Sequence, residues 1–94
     1  MSLTIWKSPL ENTSVQVIKM PRGAKILSVG LQVSPSPPFE RPHVWYLCHP
    51  DTPLEDRIIG ACVTGGDGPD VKHAFLGTLQ FKSGYVLHIF ERFS

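Results

Sequence analysis

Four histidines, two cysteines and one glycine-rich run hold most of the reactive chemistry in this sequence. His43, His49, His73 and His88 are the candidate metal ligands, and zinc asks for three or four donors converging on a tetrahedron. His43 and His49 share the parity of one strand-like segment, where extended chain separates them by about 20 Å, so they do not meet on one ion and no metal is expected. His43 and His73 each flank a long loop, a placement that suits hydrogen bonding to a ligand. Cys48 and Cys62 lie in apolar stretches with no C-x-x-C spacing, which reads as two reduced thiols rather than a zinc site or a disulfide framework. Nucleophilic catalysis needs a nucleophile held beside a base. The chain has no Gly-x-Ser-x-Gly elbow, and Glu40, Asp67 and Asp70 form a carboxylate pair only if folding happens to join them. The residues therefore predict a protein that is not an enzyme and needs no cofactor.

Binding chemistry is better represented. In Thr64-Gly65-Gly66-Asp67-Gly68-Pro69-Asp70 the glycines allow backbone amides to approach an anion as a nest. Neither the Walker nor the Rossmann spacing is present, and Asp67 and Asp70 repel a phosphate unless they face ribose hydroxyls, so a plain flexible turn is the competing reading. Trp6, Phe39, Trp45 and Tyr46 are rings able to stack a nucleobase, with Arg41 as a second planar surface. Trp45 and Tyr46 are also natural core residues in so short a chain. Phe39 sits in a Pro-rich loop with no strand face to bury it. The candidate ligand-binding set is Phe39, Arg41, His43, Trp45, Gly65, Gly66, Asp67, Lys72 and His73.

These groups must be positioned by β-structure. The chain has 94 residues, with 9 Pro and 8 Gly, roughly 18 % against a usual ~12 %. The longest stretch free of both runs from Leu10 to Met20, which excludes a helical bundle. A hydrophobic content of 41 % excludes disorder. A net charge of +1 offers no broad basic surface for DNA or RNA, and no apolar run approaches the ~18 residues of a membrane span. Met1 to Lys7 lacks the pattern of a secretory signal, so a cytoplasmic location is expected.

Seven strand-like segments follow: Leu3–Lys7, Ser14–Met20, Lys25–Val33, His43–His49, Arg57–Thr64, Ala74–Phe81 and Tyr85–Arg92. In Lys25–Val33 the period of two places Leu27, Val29, Leu31 and Val33 on one face. Phe75, Leu79 and Phe81 group in the same way. Ser83-Gly84 marks a hairpin. Pro21-Arg22-Gly23-Ala24 fits a turn with Pro at its second position, and Asp51 to Asp56 has room for one helical turn. The expectation is a single all-β domain over 1–94, a small antiparallel sandwich or barrel-like fold of about seven strands. A sequential meander brings the long loops Ser34–Pro42 and Gly65–Lys72 to the same end, where a site would gather.

Ile5-Trp6-Lys7-x-Pro9-Leu10 followed by Met20-Pro21-x-Gly23-Ala24-Lys25-Ile26-Leu27-Ser28-Val29 resembles a family of small phage and prophage proteins catalogued as a domain of unknown function, DUF7352. The similarity continues through Trp45-x-Leu47, Asp51-x-Pro53, Thr64-Gly65 and Phe75-Leu76-Gly77-Thr78 to Leu87-His88-Ile89-Phe90-Glu91. The Ser34–Pro42 loop departs from it, being longer and richer in proline. The resemblance implies a compact phage-encoded β-protein and no particular reaction. By analogy with small phage proteins that evade bacterial immunity, the expected function is non-enzymatic, homo-oligomeric sequestration of a nucleotide-derived signal, a cyclic oligonucleotide or an ADP-ribose derivative, in the cytoplasm of an infected host. No nucleic-acid polymer and no membrane are expected as partners. The alternative is an interaction module that inhibits a host protein or serves as a small phage accessory or structural protein.

Overall fold

A computed structural model describes residues 2–93. The alternating and β-branched segments form seven strands: β1 (Thr4–Pro9), β2 (Val15–Pro21), β3 (Lys25–Val33), β4 (Glu40–Cys48), β5 (Leu54–Val63), β6 (His73–Gln80) and β7 (Val86–Arg92). They make two sheets of antiparallel pairs, ordered β1-β4-β3 and β2-β5-β7-β6, so the molecule is a sandwich and not a barrel. No helix among the described residues is long and apolar enough to cross a membrane.

The inner faces obey the period of two. Val44, Tyr46 and Cys48 from β4 pack against Ile59 of β5, Leu79 of β6, and Leu87 and Ile89 of β7, with Met20 wholly buried beside them. The Tyr46 hydroxyl lies 2.9 Å from Ser8 Oγ of β1, which satisfies the polar tip inside the sandwich. Along one side the sheets meet as β3 approaches β6, and a Cβ on Gly77 would stand 2.7 Å from Val29 Cγ2. On the other side β1 and β2 are free edges. Trp6, opposite Tyr46 in the register, faces inward there and is still 39 % exposed.

Two bulges change the expected parity. The β3–β4 register shifts between Ile26 and Ser28. Ile26, Val29 and Leu31 consequently pack on the core, while Leu27 is 45 % exposed. A second shift between Phe75 and Gly77 leaves Phe75 exposed and brings Leu76 inward. One extra residue moves every following side chain to the opposite face.

The topology corrects the meander. β5 and β6 both run antiparallel to β7, with Ile58 and His73 each opposite Arg92, so they are parallel to each other. Residues 64–72 therefore return the chain from one end to the other across the outer face of their sheet, ending where Phe93 N–H bonds to Lys72 O at 2.9 Å. Only the start of the glycine-rich connection, Gly66 and Asp67 beside Asn12 and Tyr85, stays at the end that holds the Pro-rich loop; the rest crosses away from it. The expected helical turn is also absent: Thr52 N–H bonds to His49 O at 3.1 Å in a simple turn, and β5 begins at Leu54. The turn after β2 starts at Pro21 rather than carrying it second, with Ala24 N–H bonding to Pro21 O at 3.0 Å and Gly23 at φ 78°. The Ser83-Gly84 hairpin forms as expected. Phe81 O accepts Gly84 N–H at 2.9 Å, and Gly84 takes the left-handed φ of 91° that the turn needs.

Candidate functional site

β4 separates two environments by parity. Val44, Tyr46 and Cys48 go to the core, whereas Arg41, His43 and Trp45 lie together on the outer face of the three-stranded sheet. The rings of His43 and Trp45 are 5.8 Å apart. Trp45 lies down over β3 because Gly30 has no side chain; a Cβ there would be 3.3 Å from the indole. His43 is only 8 % exposed, with Nδ1 3.0 Å from Arg41 O. Above it, Lys7 Nζ donates to Gln32 Oε1 at 2.6 Å, joining the edge strands over the central one.

Arg41 also reaches the end of the sandwich, where the β1–β2 connection, the Pro-rich loop and the β6–β7 hairpin frame a groove of about 680 Å³. Its apolar lining is Leu10, Pro38, Pro42, Phe81 and Tyr85, and its polar lining is Glu11, Asn12, Glu40, Arg41 and Ser83. Three local features hold it in shape. Gln16 bonds both ways with the Glu11 backbone, at 2.9 and 3.0 Å, and closes the β1–β2 connection. Ser34 N–H bonds to Phe39 O at 2.8 Å across the Pro-rich loop. Glu40 accepts Lys82 N–H, so it serves the hairpin rather than the open space. Arg41 Nη2 stands 3.8 Å from Glu11 Oε1, a long contact that leaves guanidinium donors available to an incoming anion.

The residues expected to bind ligand are therefore dispersed. Arg41, His43 and Trp45 are brought together. Phe39 lies in the adjoining loop and is 58 % exposed. Gly65, Gly66 and Asp67 open the segment that crosses the other sheet, where Asp67 borders a 170 Å³ recess together with Cys62 and Arg92. Lys72 and His73 lie at the far end of that crossing, with His73 Nδ1 2.8 Å from Val71 O and its ring 5.2 Å from that of Phe90. Of the nine, Arg41 alone lines the large groove. Phe81, Tyr85 and Ser83 were not among the expected site residues. The hairpin signal at Ser83-Gly84 was the available clue, but only the sheet order shows that this hairpin reaches the Pro-rich loop. Among the described residues no group of His, Cys, Asp and Glu is arranged to hold a metal.

A histidine held by two hydroxyls lies elsewhere. His88, on the outer face of the four-stranded sheet, has Nε2 2.8 Å from Thr64 Oγ1 and Nδ1 3.0 Å from Thr78 Oγ1. Both ring nitrogens are thus occupied by neutral hydroxyls, which fixes the ring.

The family model of DUF7352, a domain of unknown function, matches residues 1–94. The chain belongs to that family. No curated protein and no solved structure matches it.

Proposed function

We propose that this DUF7352 domain is a non-enzymatic binding protein that sequesters a nucleotide-derived molecule in its end groove. The carrying observation is the groove itself: about 680 Å³, within the ~300–1,000 Å³ typical of small-ligand sites, with aromatic rings and one arginine in its lining. Tyr85, whose ring packs 5.7 Å from that of Phe81, offers an aromatic surface on which a flat base would stack. In this reading Glu11, Asn12 and Ser83 would meet ribose hydroxyls and Arg41 a phosphate. The lining carries two carboxylates and one guanidinium, so the charged end of the ligand belongs at the mouth and its base in the interior. Capture of a cyclic oligonucleotide or an ADP-ribose derivative, as a phage would use it against bacterial defence inside the host cytoplasm, is the role this chemistry serves.

Incubation with adenine dinucleotides, ADP-ribose derivatives and cyclic oligonucleotides tests this reading. At a hundredfold excess over Kd the expected stabilisation is about 2.7 kcal/mol, with the ligand recovered intact after denaturation. Recovery of a converted product contradicts the non-enzymatic part, and no stabilisation by any of them contradicts the ligand class.

A second reading, an interaction module or homo-oligomer, is favoured by one observation. Val15 and Val17, at 43 % and 55 % exposure, form an exposed apolar pair at the start of the free edge strand β2, whose protecting charge, Lys19, stands two residues beyond Val17. Solution mass by light scattering distinguishes a monomer from an edge-paired dimer.

A further inference from the structure

The net charge of +1 averages over faces that the fold makes very different. In the β1-β4-β3 sheet, strand register assigns the outward positions as Ile5 and Lys7 on β1, Arg41, His43, Trp45 and Leu47 on β4, and Lys25, Ser28, Gly30 and Gln32 on β3. Three of these are permanent cations and none is a carboxylate. Each of the eight Asp and Glu lies elsewhere. Glu40, Glu55 and Glu91 are turned to backbone amides or to Arg57. Glu11 and Asp51 are in connections, and Asp56, Asp67 and Asp70 belong to the opposite sheet and the segment crossing it. Lys7 is bonded to the neutral Gln32, and no carboxylate pairs with Lys7 or Lys25 among the described ion pairs.

We propose that this outer sheet face binds single-stranded nucleic acid, with Trp45 stacking a base and Lys7, Lys25 and Arg41 meeting backbone phosphates. The surface has the two parts such recognition requires, an aromatic platform and surrounding cations. Gly30 lets the indole lie on the sheet instead of standing from it. The cations surround the ring from three strands: Lys7 opposite Trp45 on β1, Lys25 opposite Leu47 on β3, and Arg41 further along β4. The stripe from Arg41 to Leu47 is about 20 Å long, enough for several nucleotides. Duplex DNA presents its bases in grooves that a flat sheet face does not enter, so the single strand is the form selected. An acidic protein would match the cations and leave the indole unused. This site is separate from the end groove except at Arg41, so Lys7 and Lys25 test it alone.

The probe is fluorescein-labelled oligo-dT of about 12 nucleotides, within the span one β-domain covers, followed by anisotropy across salt concentrations. Three phosphate contacts predict that log Kobs falls with log salt at a slope of about −2, and the double variant Lys7→Gln/Lys25→Gln lowers it to about −0.7 and weakens binding at least ~10-fold. Trp45→Phe keeps a ring over Gly30 and retains binding with loss of most indole quenching. Adenine-nucleotide capture by the double variant stays unchanged, which separates this proposal from the groove. Binding insensitive to the double variant, equal affinity for duplex, or tighter binding to phosphatidylserine vesicles or poly-glutamate overturns it.

Discussion

Glu40 and Lys82 are joined by a hydrogen bond between distant parts of the chain: the Lys82 backbone N–H lies 3.0 Å from one carboxylate oxygen of Glu40 and 3.3 Å from the other. The contact fastens the β6–β7 hairpin of one sheet to the first residue of β4 in the other. It thereby ties the hairpin that carries Tyr85 to the strand that follows the Pro-rich loop, two of the segments that frame the end groove. Glu40→Ala is expected to cost about 1 kcal/mol of stability in urea unfolding and a larger share of groove affinity, because the hairpin loses its anchor. Equal losses in Glu40→Gln, whose side-chain oxygen still accepts, would show that charge rather than the anchor matters.

At the other end, Arg57 holds the sandwich shut. Its guanidinium bonds to both carboxylate oxygens of Glu91, with Nη2 to Oε1 at 3.0 Å, and to Ala24 O at 2.8 Å. Glu91→Ala leaves this largely buried cation without its main partner and is expected to cost about 3 kcal/mol. Replacing both residues, as Arg57→Met/Glu91→Leu, should cost much less. The hydrogen bond to Glu91 raises the Arg57 pKa further above its ordinary value. The resulting stabilisation is fully present below that value and is lost only as pH climbs through the still higher folded value, so Arg57 adds no pH dependence around neutrality.

The cysteines should behave differently from each other. Cys48 is 1 % exposed and burial pushes its thiol above the ordinary 9.0, whereas Cys62 is half-buried on the outer face of its sheet. Native protein is expected to label with a thiol reagent at Cys62 and to protect Cys48 until unfolding. Above about pH 9 the unfolded state releases the Cys48 proton while the native state retains it. Stability therefore falls with rising pH there, and Cys48→Ala removes that slope in denaturation curves.

Gly77 of β6 lies where that strand packs against β3 of the other sheet. A methyl group would meet Val29 Cγ2 at 2.7 Å, so Gly77→Ala is expected to destabilise by about 1–3 kcal/mol. Val29→Ala in the same chain should recover part of that loss by making room. Additive losses from the two substitutions would deny the contact.

Much of this fold was legible locally. Seven strands form in the expected order and Lys25–Val33 matches to the residue, but β4 begins at Glu40 and β5 at Leu54, each three residues before the expected start and inside segments read as loop or turn. The bulges at Leu27 and Leu76 were not legible, because one inserted residue in an apolar stretch leaves composition unchanged while reversing which face is buried. The crossing by residues 64–72 was hidden for a related reason: a glycine-rich segment of that length can turn at one end or traverse the sheet, and the sequence favours neither. The candidate site followed suit. Arg41, His43 and Trp45 share a face through local parity, while Lys7, Phe81 and Tyr85 join their sites through strand order alone. Phe39, read as exposed in a Pro-rich loop, is exposed.

The end groove is most directly tested by isothermal titration of ADP-ribose and of cyclic oligonucleotides into wild type and Tyr85→Ala. Tyr85 is 43 % exposed, so its loss should leave the fold intact while removing the stacking wall, worth about 1–3 kcal/mol per base. The account predicts saturable binding of at least one of these ligands to wild type, weakened ~10-fold or more in Tyr85→Ala. Binding that is unchanged in Tyr85→Ala, or absent from wild type for all of them, contradicts it.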